Sequence, residues 1–111
     1  MAGTFRYVQG DTGPQIKLTL TEEDTGDLVD LTSATVTLHF RAAGEDTLLF
    51  SRAFFINPDT AASGEAVLQW EVGDLDVEAG AYEGEVEVVR ASGLRETLYD
   101  RLKFRIREDF A

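Results

Sequence analysis

Apolar and polar residues alternate along most of the chain. "QIKLTLT" sets Ile16, Leu18 and Leu20 against Gln15, Lys17 and Thr19. "TVTLHF" sets Val36, Leu38 and Phe40 against Thr35, Thr37 and His39, and "EAVLQWEV" puts Ala66, Leu68, Trp70 and Val72 on one face. "YEGEVEV" opposes Tyr82, Gly84, Val86 and Val88 to Glu83, Glu85 and Glu87; "LKFRIR" opposes Leu102, Phe104 and Ile106 to Lys103, Arg105 and Arg107. A period of two with one apolar face predicts strands half-buried in an antiparallel sheet. "TFRYVQ" adds a short aromatic strand. "LLFSRAFFI", 48–56, is apolar on both faces, so burial alone does not set its register. It is either covered on both sides or leaves Leu49 or Phe55 exposed to a partner.

The interruptions carry turn chemistry. "EEDTGD" (22–27) and "ASG" (91–93) predict turns, "NPDTAASG" (57–64) a loop, and "RAAGED" (41–46) a hairpin connection. The one helix-like stretch is "GDLDVEAG", where Asp74 is placed to cap a single turn before Gly80 stops it. About seven short strands in 111 residues predict a single all-β domain over residues 1–111, a two-sheet antiparallel β-sandwich.

Tyr82 sharpens that expectation. Glu78, Gly80, Tyr82 and Gly84 stand two apart, the spacing of the tyrosine corner in immunoglobulin-like sandwiches. There the ring packs inward while the hydroxyl bonds a backbone carbonyl a few residues upstream. Gly80 opens the tight approach, and Gly84 stands where immunoglobulin domains place their second cysteine. This chain has no cysteine, so no disulfide and no thiolate zinc site can form. Apolar packing must hold the sheets together, with Trp70, Phe40 and Phe104 the expected heavy members. A chain of this length buries roughly two-thirds of its unfolded surface, enough for one core without staples.

Charge narrows the partners. Ten Lys and Arg against 21 Asp and Glu give a net charge of −11, which repels phosphate backbones and argues against nucleic acid. No apolar run approaches the ~20 residues of a spanning helix, and "MAGTFRYVQGD" lacks the basic-then-apolar pattern of a signal peptide. The expectation is a soluble protein with no membrane partner. A hydrophobic content of 43% is too high for a disordered chain.

Catalytic chemistry finds little footing. The lone histidine, His39, falls on the polar side of its strand, and Ser33, Ser51, Ser63 and Ser92 lie in no nucleophile motif. The acidic cluster Glu22, Glu23, Asp24 and Asp27 lacks the spacing and closing glutamate of an EF-hand, so a solvated turn is expected and no metal or cofactor is assigned. Glu83, Glu85 and Glu87 line one strand face; Arg101, Lys103, Arg105 and Arg107 line the next. Cross-strand ion pairs between the rows are expected. The other possibility is a basic strip that docks a partner. Asp100 breaks the alternation between Leu98 and Leu102, predicting a bulge or an inward polar contact.

The stretch "FRYVQGDTGPQIKLTLTEEDTGDLVDLTSATVTLHFR" adds what periodicity does not. Its aromatic strand, the Gly10-Asp11-Thr12 step, the apolar strand from Ile16 to Leu20, the acidic turn, and the Val29–Thr32 "VDLT" step before "ATVTLHFR" form one series. Together with the late Gly80-x-Tyr82, it resembles the N-terminal immunoglobulin-like domain of tailed-phage baseplate upper proteins and their short phage and prophage relatives. The resemblance implies a virion structural module without activity or cofactor, assembled in the host cytoplasm. Its partners would be other virion proteins, and itself in symmetric copies. Long members continue toward a receptor-binding apparatus, whereas this sequence stops at Ala111, which points to an accessory or adaptor role. On that reading Phe54 and Phe55 are the expected partner-binding anchors. The alternative function is a carbohydrate- or ligand-binding sandwich in which Trp70 and Tyr99 form a stacking platform.

Overall fold

The computed structural model describes residues 4–22, 24–98 and 101–110. In it the alternating segments become strands β1 (Phe5–Val8), β2 (Gln15–Thr19), β3 (Thr35–Ala42), β4 (Phe50–Ala53), β5 (Glu65–Gln69), β6 (Gly80–Val89), β7 (Arg95–Thr97) and β8 (Leu102–Arg107). The larger sheet runs β1-β8-β6-β3-β4, with β7 also paired to β6; the smaller is β2-β5. Alternate residues of both sheets meet in one core. Ile16, Leu18, Ala66 and Leu68 come from the small sheet, and Val36, Leu38, Phe40, Val86, Leu102, Phe104 and Ile106 from the large one. The protein is an all-β sandwich closed without a disulfide.

Trp70 sits at the centre of the packing. Its ring meets Tyr7, Phe40, Phe50 and Phe104 edge-on, with centroids 5.6 to 6.3 Å apart. Phe40 stacks on Tyr82 at 5.3 Å and on Phe50 at 4.9 Å. Each such pair adds roughly 0.5–1.5 kcal/mol beyond its buried area, so the aromatic cluster takes the place that a disulfide holds in other sandwiches.

Three features depart from the alternation. The strands are antiparallel except β1, which lies parallel to β8 with Arg6 opposite Arg105. Between β7 and β8 the pairing to β6 changes step. Only Glu85 and Val86 separate the paired ends on β6, while residues 98–101 separate them on the partner side. Asp100, expected to mark a bulge or an inward polar contact, lies outside the described residues. Val72, expected to face inward, is 91% exposed, because β5 ends at Gln69 and the chain turns at Glu71–Asp74.

The helical turn expected at Asp74 does not form. The only helix among the described residues is a 3-10 turn at Ala61–Ser63. Asp74 is instead buried, and its Oδ2 accepts the Glu71 N–H at 2.9 Å. Arg52 Nη2 reaches Asp74 Oδ1 at 2.5 Å and Arg52 Nε reaches Oδ2 at 3.1 Å. Burial of Leu75 holds this turn against the core, and the guanidinium pairs the buried Asp74 charge beside it.

Candidate docking surfaces

The β6 corner is the scaffold on which the surfaces are mounted. The Tyr82 hydroxyl donates to the Glu78 carbonyl oxygen at 2.5 Å while its ring lies in the core. Burial first, and the nearby Glu78 charge second, push the phenol above its ordinary value, so it keeps the proton it donates. Gly80 opens the strand opposite Ile106. At Gly84 a Cβ would stand 2.5 Å from Leu38 Cδ1 and 3.1 Å from Phe104 Cε2, so the large sheet closes over a missing side chain.

β4 is the edge of the large sheet, and the segment around it explains the two-faced pattern of "LLFSRAFFI". Phe54 N–H bonds the Val36 carbonyl, within the large sheet, at 2.8 Å. One residue later Phe55 exchanges both backbone bonds with Val67 of β5, at 2.7 and 2.9 Å. The chain thus crosses from one sheet to the other between adjacent residues. The crossing separates the two expected anchors. Phe54 is buried at 6% exposure, a correction to its assignment as a surface contact, while Phe55 is 65% exposed. Leu48 and Leu49, at the other end of β4, are each about half exposed. Arg52 holds the strand between them, clamped to Asp74 and Glu71 and lying 5.6 Å over the Phe50 ring.

The outer face of the large sheet is charged, and sequence reasoning missed how its groups meet. His39 Nδ1 lies 2.7 Å from Ser51 Oγ, and His39 Nε2 lies 3.4 Å from Glu87 Oε1. Strand pairing makes this line legible only afterwards, since β3 puts His39 opposite both Ser51 and Glu85. Serine, histidine and carboxylate share a face, yet Glu87 is drawn to Arg95 at 2.7 Å. Farther along, Glu83 takes Arg41 at 2.7 Å and Arg101 at 3.5 Å.

The expected pairing of the glutamate and cation rows is therefore partial. Arg101 reaches Glu83, but Arg105 stands opposite Ala81, and Arg107 lies beyond the paired end of β6. The acidic turn closes through Glu22 N–H to Asp27 O and Gly26 N–H to Glu22 O, while Glu22 itself pairs with Arg90. Glu23 lies outside the described residues, and among those described no group of three or more His, Cys, Asp or Glu is placed to hold a metal. Of the stacking pair proposed for sugars, Trp70 is buried at 2% exposure and Tyr99 lies outside the described residues. A cleft of about 250 Å³ opens at the end of the sandwich near Leu20, Val29, Arg90 and Leu98; its arginine is bound to Glu22 and Glu96.

No family model and no curated protein matches the chain. Among solved structures, the fold is similar to that of CopC from Methylosinus trichosporium OB3b, with a TM-score of 0.55 over 98% of this chain and 89% of that one. At 12% identity this likeness concerns the fold alone.

Proposed function

We propose that the protein is a non-enzymatic virion structural or adaptor protein of the tail or baseplate type, acting through contacts with other virion proteins and with further copies of itself. One observation carries the reading. The β4 edge ends at one side in half-exposed Leu48 and Leu49 and at the other in Phe55, the most exposed phenylalanine of the strand region. Strand edges and protruding aromatics are what a passive module offers a neighbour, by backbone pairing and by pocket filling respectively. The phage-like series from Phe5 to Arg41 supplies the kind of assembly. The engaged Ser51–His39–Glu87 line and the paired Arg90 favour contact over catalysis.

The test is proteomic. Particles purified after induction of the strain that carries the gene are expected to contain the chain in a fixed multiple of the tail symmetry. Its absence from intact particles, with the protein abundant in the lysate, would contradict the proposal.

A further inference from the structure

A second surface lies on the opposite edge of the large sheet. Strand β1 is the last of its row, and no other strand among the described residues lies beyond it. Its outward residues bring together a charge that the rest of the molecule lacks. Arg6 stands opposite Arg105, Val8 opposite Arg107, and Lys103 follows two residues from Arg105 on the same face. Like charges placed opposite one another oppose strand pairing. The sheet nevertheless holds two arginines in that position, in a chain with 21 acids to draw on. Among the described residues, Arg6, Lys103 and Arg105 have no ion-pair partner. Arg107 donates to the Glu108 carbonyl at 2.8 Å and lies 5.0 Å over the Phe110 ring, neither of which neutralises it. Lys103 stands opposite Glu83, which is taken up by Arg41 and Arg101, while the other bases of the acidic remainder are largely paired.

Shape and backbone agree with the charge. Arg6, Tyr7, Val8, Arg105 and Arg107 line a groove of about 230 Å³ along this edge. Gln9 N–H bonds the Arg107 carbonyl at 3.0 Å, so the alternation of the strand turns the Arg6 and Val8 N–H groups to the open side. An edge with free amides accepts an extended segment as an added strand, and alternate side chains of that segment then fall on one face.

We propose that the β1 edge docks an extended acidic protein segment, one that alternates carboxylates with apolar residues. The carboxylates lie against Arg6, Arg105, Arg107 and Lys103, and the backbone continues the sheet. Charge and backbone together identify the occupant: arginine forks match carboxylates in pairs, and the open Arg6 and Val8 amides take the carbonyls of an extended polypeptide, which a duplex lacks. This surface is separate from the β4 edge and stands or falls independently of the virion reading.

A ten-residue peptide alternating glutamate and valine, titrated into the isotopically labelled full chain, tests it. Amide shifts are expected at residues 5–8 and 102–107, with slowed exchange of the Arg6 and Val8 amides and weakened binding on raising salt. The variant Arg6→Glu/Arg105→Glu is expected to lose at least tenfold in affinity. Lys17→Glu, an exposed charge reversal on the other sheet, is expected to bind as the parent does. Spectral dispersion of each variant reports that it is folded. Shifts that map elsewhere, equal binding of a lysine–valine peptide, or tighter binding of a DNA oligonucleotide than of the acidic peptide would each overturn the proposal. So would undiminished binding by a folded Arg6→Glu/Arg105→Glu protein.

Discussion

Two glycines and one tyrosine show how single residues set this fold. Gly64 follows the 3-10 turn with φ +73°, and a Cβ there would lie 2.5 Å from the Leu20 carbonyl oxygen. That oxygen belongs to backbone and cannot swing aside, because Leu20 N–H is itself bonded to the Gly64 carbonyl at 2.8 Å. Left-handed backbone costs a non-glycine residue roughly 1–3 kcal/mol before any overlap is counted. The Tyr82 hydroxyl bond is a smaller quantity, about 1 kcal/mol net. Gly64→Ala is therefore expected to lower the urea-unfolding free energy by at least twice as much as Tyr82→Phe. Equal losses would mean that the 61–64 turn does not press on the Leu20 backbone as described. Gly84 tells a related story by different means: its φ is ordinary, and the constraint is the Leu38 side chain packed where a Cβ would go.

At the scale of strands, cross-strand charge is the testable element. Glu83 on β6 is held below its ordinary value near 4.5, first by the Arg41 hydrogen bond and then by the charges of Arg41 and Arg101, against the opposing effect of partial burial. A carboxyl depressed in the folded state adds stability that is complete above the unfolded value and is lost as pH falls through the folded one. The group is near the surface, so the contribution is under ~1 kcal/mol. Stability measured by urea midpoint from pH 7 to pH 3 is expected to fall less steeply below about pH 4.5 in Glu83→Gln than in the parent. Parallel curves would remove Glu83 from the acid limb. The strands themselves show what alternation can and cannot disclose. β2, β3, β5, β6 and β8 each keep one face in the core, so a period of two finds them. β4 defeats that test because its chain changes sheets between Phe54 and Phe55, and which phenylalanine is buried depends on a partner strand far away in sequence. The parallel pairing of β1 with β8, which gathers the basic edge, is a long-range event with no local signature. The same holds for the Ser51–His39–Glu87 line, drawn across three strands. Asp74 reads locally as a cap, and only the arrival of Arg52 makes it a buried ion partner.

For the molecule as a whole, a disulfide-free sandwich with an aromatic centre leaves its surface free for contacts. The two edges of the large sheet differ in kind: β4 is flanked by exposed apolar residues, while β1 and β8 carry a cationic strip on an acidic body. Unlike edges suit heterologous contacts, in which one patch meets a different patch on its neighbour and copies can close into a ring. On the proposed virion role, sedimentation velocity of the purified chain mixed with tail and baseplate proteins from the same genome tests the docking account most directly. The account predicts that the 12.2 kDa boundary shifts into a faster complex with at least one of them, and that Phe55→Asp returns it to the slow position. A boundary that stays at the single-chain position with every such protein would contradict it.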